Sequence, residues 1–193
     1  MSTERAPLTA ERIVDEAIAI IRERDVAALS MRALATRLEV TAPALYAHFA
    51  NRDALLRGCA QVGYDDLDRR FRKEEPESAI DMIWVSSRSY VQFALDEPAL
   101  FSLMFMYRPD AIEIDTDVDI EHGGASSVFD AMLVNLAKAM DDGDLRRGDP
   151  LADGLALWAA VHGVATVAGL APGLDVDTLL ADVVGGLLAG WRN

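Results

Sequence analysis

Apolar residues recur at intervals of three and four along almost the whole chain, and the two-residue alternation of a half-buried strand never persists beyond a few positions. This periodicity restricts the chain to an all-α fold. Its 193 residues suffice for one large helical domain or two small ones, and either can bury a substantial core. With 51% hydrophobic and 26% charged residues, the chain has the balance of a globular protein rather than a disordered one.

The pattern resolves into about nine helices. The first is predicted from Thr9, a hydroxyl cap followed by Glu11, to about Arg24. Ile13, Ala17, Ile20 and Ile21 line one face of it, and Arg12, Asp15 and Arg22 the other. Ser30 caps a second over Met31 to Leu38, with Leu34 and Leu38 four apart and Arg32 and Arg37 off that line. Thr41 caps a third, ending near Phe49, which tolerates Pro43 because first-turn amides have no intrahelical partner. Asn51 caps a fourth, with Asp53 in its first turn, that reaches about Phe71 before RKEEP breaks it at Pro76. Further helices are predicted at about Glu77 to Asp96, Pro98 to Met106, Ala125 to Met140, Leu151 to Leu170 and Val176 to Trp191, punctuated by proline, glycine and acidic turns. The expected division is a helical domain over residues 1–57, joined by a long helix to a second helical domain over 58–193.

A net charge of −14 argues at first against a nucleic-acid partner, since phosphate contacts need Lys and Arg. Its distribution reverses the argument. Up to Arg57 eight arginines balance eight acidic residues, leaving ten basic against twenty-four acidic residues downstream. A neutral segment with arginines on one side can dock on DNA while an acidic remainder suppresses non-specific adhesion. The single cysteine, Cys59, cannot form an internal disulfide, and the N-terminus MSTERAPLTAER has no apolar core of a signal peptide. Both fit a reducing cytoplasm.

The informative stretch is Ser30 to Leu56, where short helices and tight turns follow one another as a helix-turn-helix requires. On the third helix Leu45 and Phe49 can face the first two, leaving Ala42, Pro43, Tyr46 and Ala47 outside. The Thr41 hydroxyl suits a phosphate or base edge, and Ala42 and Pro43 suit thymine methyls. Arg32 and Arg37 are read as either phosphate contacts or solvated charges, and Arg5 as either a minor-groove arm or a solvated tail.

LSMRALATRLEVTAPALYAHFANRDALL resembles the N-terminal helix-turn-helix of the TetR family of transcription regulators, AcrR-like proteins included, with its LY-x-HF core and following polar cap. The resemblance covers about Leu8 to Leu56. It implies phosphate contacts from Thr41, Tyr46, His48 and Arg52 and base contacts from Ala42, Ala44 and Ala47. Two positions depart from the family pattern: Glu39 stands where glycine is common in the turn, and Ala47 where a larger or basic residue is. With so little hydrogen-bonding capacity on the reading helix, specificity is expected to lean on apolar contacts and DNA shape.

The downstream half resembles the WHG type of C-terminal domain in that family, through YVQFALDEPALFSLMF and the spacing of Trp158, His162 and Gly163. This implies a homodimer formed by the last two helices and a cavity for a small apolar or amphipathic effector. Small residues four apart (Ala156 and Ala160, Ala159 and Gly163, Gly186 and Gly190) permit close helix packing there. Trp84, Arg88, Phe93, Met104, Phe105, Phe129, Met132, Trp158 and His162 are the candidate lining, each open to the alternative of ordinary core packing. A histidine on an apolar helix is more often a hydrogen-bonded core or interface residue, and that is the first reading of His162. The apolar run from Gly154 to Leu170 approaches membrane-spanning length, yet it contains His162 and lacks flanking Lys and Arg anchors.

The run Asp115, Asp117, Asp119, Glu121, His122 lacks the glycine and terminal glutamate of a calcium loop. No nucleophile elbow, phosphate loop, HExxH or Cys/His cluster is present, so neither an enzyme nor a cofactor or metal site is expected. The sequence therefore reads as a DNA-binding regulator, most simply a repressor released from a palindromic operator by an effector. A ligand- or partner-binding protein with a vestigial DNA segment is the alternative.

Overall fold

The computed structural model describes residues 7–74, 76–105 and 125–192. Arg5 and the acidic run from Asp115 to His122 lie outside them. The described residues contain nine α-helices and no strand: α1 (Ala10–Glu23), α2 (Met31–Leu38), α3 (Ala42–Tyr46), α4 (Arg52–Phe71), α5 (Ala79–Asp96), α6 (Pro98–Phe105), α7 (Ala125–Asp141), α8 (Pro150–Leu170) and α9 (Val176–Trp191), with a single 3-10 turn at Val26–Ala28. They group into two compact units. One takes the described residues of 1–63 and 99–111, the other those of 64–98 and 112–193. The division falls inside α4, and α6 belongs to the first unit although it follows α5 in the chain.

In the first unit the caps are those expected. Thr9 Oγ1 accepts from the Arg12 amide at 3.2 Å and Ser30 Oγ from the Ala33 amide at 3.1 Å, each satisfying a first-turn donor with no intrahelical partner. The apolar stripe of α1 is buried at Ile13, Val14, Ala17, Ile18, Ile20 and Ile21, and α2 buries Met31, Leu34, Ala35 and Leu38. Arg37 lies across the outside of this pair. Its Nε meets Glu16 at 2.7 Å and its Nη2 meets Glu23 at 2.7 Å, so it joins α2 to α1. The Arg37 hydrogen bond holds the Glu23 carboxyl below its ordinary range. From α6, Leu100, Phe101, Leu103 and Met104 are buried, and Gly63 has no room for a β-carbon unless Met104 moves.

In the second unit α5 packs against α7, α8 and α9. It starts two residues later than the predicted Glu77, because Ser78 Oγ accepts from the Asp81 amide at 3.0 Å and so sets the cap. Arg70 lies over the ring of the fully buried Phe93 at 5.3 Å and pairs with Asp66 and Asp96. Helix α8, capped by Asp149, is long and apolar enough to cross a membrane, but here it packs on α5, α7 and α9. Gly154 meets α7 so closely that a β-carbon would displace Leu133. The end of α9 is held where the Arg146 amide donates to the Trp191 carbonyl at 2.6 Å, while Arg146 Nη2 pairs with the buried Asp153 at 3.1 Å.

The end of α2 carries a local conflict. Glu39 adopts φ 55° and ψ 41°, with its amide directed at the carbonyls of Ala35 and Thr36. This left-handed close costs a residue with a β-carbon about 1–2 kcal/mol, whereas glycine adopts it freely. Glycine also gives back about 0.5–1 kcal/mol through the entropy of the unfolded chain. Glu39→Gly is therefore expected to raise stability by about 0.5–1 kcal/mol, or roughly 2–4 °C at the upper end for a chain of this size. A thermal melt showing a lower midpoint would contradict the strain.

Candidate nucleic-acid interface

The short helix α3 is defined by what holds it. Leu45 is fully buried. A β-carbon on Gly58 would stand 3.3 Å from Phe49 and 3.4 Å from Val14, which places the Phe49 ring inward against α1 and α4. The helix stops at Tyr46, short of the predicted Phe49, and the amides of His48 and Phe49 share the Leu45 carbonyl at 3.0 Å. Thr41 occupies the N-cap position, but unlike Thr9 and Ser30 its side chain makes no cap bond. Thr41, Pro43, Tyr46, Ala47 and His48 are exposed, Ala42 and Ala44 half-buried. Tyr46, at 51% exposure, is unusually open for an aromatic side chain.

The arginines divide by function. Arg32 is exposed on α2, one residue past its first position. Arg37 is occupied by Glu16 and Glu23. Arg52, expected on phosphate, is half-buried, and its Nε and Nη2 donate to the carbonyls of Leu29 at 2.7 Å and Val26 at 2.6 Å. The sequence offered no sign of this, because the acceptors are main-chain atoms more than twenty residues away.

The nine candidate pocket residues fall in both units. Met104 and Phe105 lie on α6 in the first unit, where Phe105 stacks on Phe101 with centroids 4.9 Å apart. Phe93 is fully buried under Arg70. Arg88 points outward, 72% exposed, toward Asp177 at 3.8 Å. Trp84 lies over Gly185 of α9, and Met132 reaches toward Gly154.

What does come together is an aromatic group on α5, α7 and α8. Phe129 meets Trp158 edge-on at 6.0 Å, Trp158 lies 5.9 Å from His162, and Tyr90 Oη lies 2.9 Å from His162 Nδ1. Tyr90 was not among the candidates, since only the fold joins positions 72 residues apart. Which of Tyr90 and His162 donates follows from the tautomer of the imidazole. Burial raises the Tyr90 pKa and lowers that of His162, so the group is uncharged at neutral pH. Cys59 is fully buried and its thiol is pushed up to about 12, which makes it inert.

Comparison with known proteins matches both halves of the chain. Residues 13–59 match the model for bacterial regulatory proteins of the tetR family, and residues 83–186 the model for the tetracyclin repressor-like C-terminal domain. No curated protein sequence matches. A protein of unknown function from Rhodococcus sp. RHA1 shares the fold with a TM-score of 0.80, at 23% identity over the whole of both chains. SmeT, the repressor of the Stenotrophomonas maltophilia multidrug efflux pump SmeDEF, gives 0.69 at 22% identity, covering 98% of this chain and 93% of its own. A TetR variant from Acinetobacter baumannii AYE in complex with minocycline gives 0.64 at 21%, covering 95% and 96%.

The depressed His162 pKa carries a sign that can be measured. Below its ordinary value of 6.5 the unfolded chain takes up a proton that the folded chain refuses, so stability falls as pH drops through that value. Thermal midpoints from pH 8 to 5 (roughly the span over which histidine titrates) are expected to fall less steeply for His162→Gln than for wild type. Parallel curves would refute the neutral, buried imidazole.

Proposed function

Because the chain belongs to the tetR family of bacterial regulatory proteins, and so is a DNA-binding transcriptional regulator, we propose that it acts as a cytoplasmic homodimeric repressor released from a palindromic operator by a small molecule. Each subunit sets Ala42–Tyr46 and the following turn into one of two successive major grooves on one face of the duplex. The observation that carries this reading is that α3 is anchored from inside by Leu45 while Thr41 and Tyr46 point outward with no cap or core role. Thr41, Tyr46, His48 and Arg32 reach phosphates. Ala42, Pro43, Ala44 and Ala47 bring the backbone close to base edges and thymine methyls.

Two further features support the rest of the proposal. Helices α8 and α9 leave an apolar surface uncovered, with Val167 46% and Leu170 80% exposed and open space around Gly163, Gly186 and Gly190. A second copy placing the same surface there completes a four-helix interface. The half-buried Phe129, Met132, Trp158 and His162 suit an apolar or amphipathic effector with one hydrogen-bonding group. An effector that favours a dimer whose reading helices are wrongly spaced lowers operator affinity by the ratio of its affinities for the two forms. On this reading the chain performs no chemistry of its own.

Footprinting on genomic fragments is expected to reveal an imperfect palindrome, and a protein that protects no fragment at low salt would end the proposal. Tyr46→Ala, which removes an exposed side chain, should leave the melting temperature nearly unchanged and weaken operator binding by tenfold or more, the order of one hydrogen bond to a charged group. The dimer has its own test. A β-carbon at Gly163 meets nothing within 4 Å in the single subunit, and Gly163→Glu improves helix propensity, so the monomer should fold. It buries a charge only if a partner covers the site. Sedimentation is expected to show monomers, and an unaltered dimer would exclude this face.

A further inference from the structure

We infer that Arg52 is a positioning residue for the reading head rather than a phosphate contact, an assignment that rests on α3 meeting the duplex. The argument begins with where its hydrogen bonds go. Arg52 is the first residue of α4, immediately beyond the turn that leaves α3, and its acceptors are the carbonyls of Leu29 and Val26 in the turn that enters α2. One guanidinium thus ties together the two ends of the segment carrying α2 and α3. Its planar fork suits this task, since Nε and Nη2 emerge in fixed relative directions and can meet two carbonyls three residues apart. An ammonium on a flexible stem cannot reproduce that geometry.

The segment being tied needs the restraint. Asp25, which opens the Val26–Ala28 turn, has φ 141° and ψ 176°, backbone territory that is costly for any residue with a β-carbon. Strain of this kind persists only where surrounding bonds over-determine it. Asp25 Oδ1 accepts from the Ala28 amide at 2.9 Å on one side of the turn, and Arg52 holds the Val26 carbonyl at 2.6 Å on the other. The Leu29 side chain, 1% exposed, fixes the same turn in the core. With the clasp removed, these groups hold the turn less tightly, and the entry angle of α2, hence the direction of Thr41 and Tyr46, is no longer unique. The two carbonyls hold the guanidinium in a half-buried site, while Arg32 on α2 stays exposed.

The test compares Arg52→Met, Arg52→Lys and Arg32→Ala in the full-length protein, using the duplex recovered by footprinting and a scrambled duplex of equal length. Binding is measured over a range of salt, well below the melting temperature of each variant. Positioning predicts that Arg52→Met and Arg52→Lys both lose tenfold or more of the preference for operator over scrambled DNA, with no change in the salt slope. Arg32→Ala should instead lower affinity for both duplexes and reduce the slope by about one for each phosphate it no longer neutralises. Recovery by Arg52→Lys together with a reduced slope in Arg52→Met would overturn the assignment in favour of a phosphate contact. Unchanged operator preference in folded variants would reduce Arg52 to a structural residue. If wild type itself retards no fragment, the reading-head proposal has failed, whereas wild-type binding matched by the variants sinks only the positioning role. Should the variants not fold, the wild-type Arg52 Nε–H resonance decides the question. It is expected to exchange slowly and keep its shift when the duplex is added, and a large shift on titration would overturn the clasp.

Discussion

Five residues cannot hold themselves in a helix. Nucleation fixes several backbone dihedrals for a single hydrogen bond, and isolated segments of this length do not persist in water. Helix α3 lacks even a side-chain cap. Its conformation is therefore a consequence of Leu45, whose full burial against the first unit supplies the free energy that local bonding does not. The separation of labour on α3 follows from this constraint. Because one apolar side chain and the neighbouring Phe49 carry the stability, Thr41, Tyr46, Ala47 and His48 are released from any structural task and remain at the surface. The same dependence explains why the turn entering the segment is so heavily tied, by Asp25 and by Arg52.

Much of the fold was legible because its determinants are local. The all-α class follows from periodicity, and the caps at Thr9, Ser30 and Asn51 follow from side chains that reach amides three residues ahead. The inward direction of Leu45 and Phe49 follows from their spacing. The end of α3 was less so, because Tyr46 is followed by residues of adequate helix propensity. Glu39 illustrates the boundary between the two cases. The turn demanded a left-handed residue, the sequence supplied one poorly suited to it, and the structure resolves the conflict by accepting the strain.

The site beyond α3 was legible only in its chemistry, not in its membership. Aromatic residues at helical spacing on α5, α7 and α8 identify side chains that can meet, but which of them do so depends on helix crossings. Phe93 went beneath Arg70, and Arg88 went to the surface. Tyr90 came to His162 from 72 positions away. Met104 and Phe105 belong with α6 to the first unit, although α6 follows α5 in the chain. Main-chain acceptors are the hardest case of all. Every residue offers a carbonyl, so nothing in the sequence marks those of Val26 and Leu29 as the destination of Arg52.

The composition of the reading head also shapes how such a regulator can be controlled. On the proposed docking, alanines and a proline offer base edges almost no hydrogen bonds, so discrimination between sequences would fall to shape, to methyl contacts and to the spacing of the two heads. Contacts of this kind are individually weak and fail together when the spacing is wrong. The downstream acidic excess adds a uniform repulsion that penalises any mode of binding other than the one in which neutral heads face the duplex. On the proposed mechanism an effector therefore needs to break no particular bond at the interface. A modest difference in its affinity for two dimer geometries, of the roughly 1–3 kcal/mol typical of coupled sites, is enough, because a head that reads by fit rather than by hydrogen bonding has little with which to resist being moved.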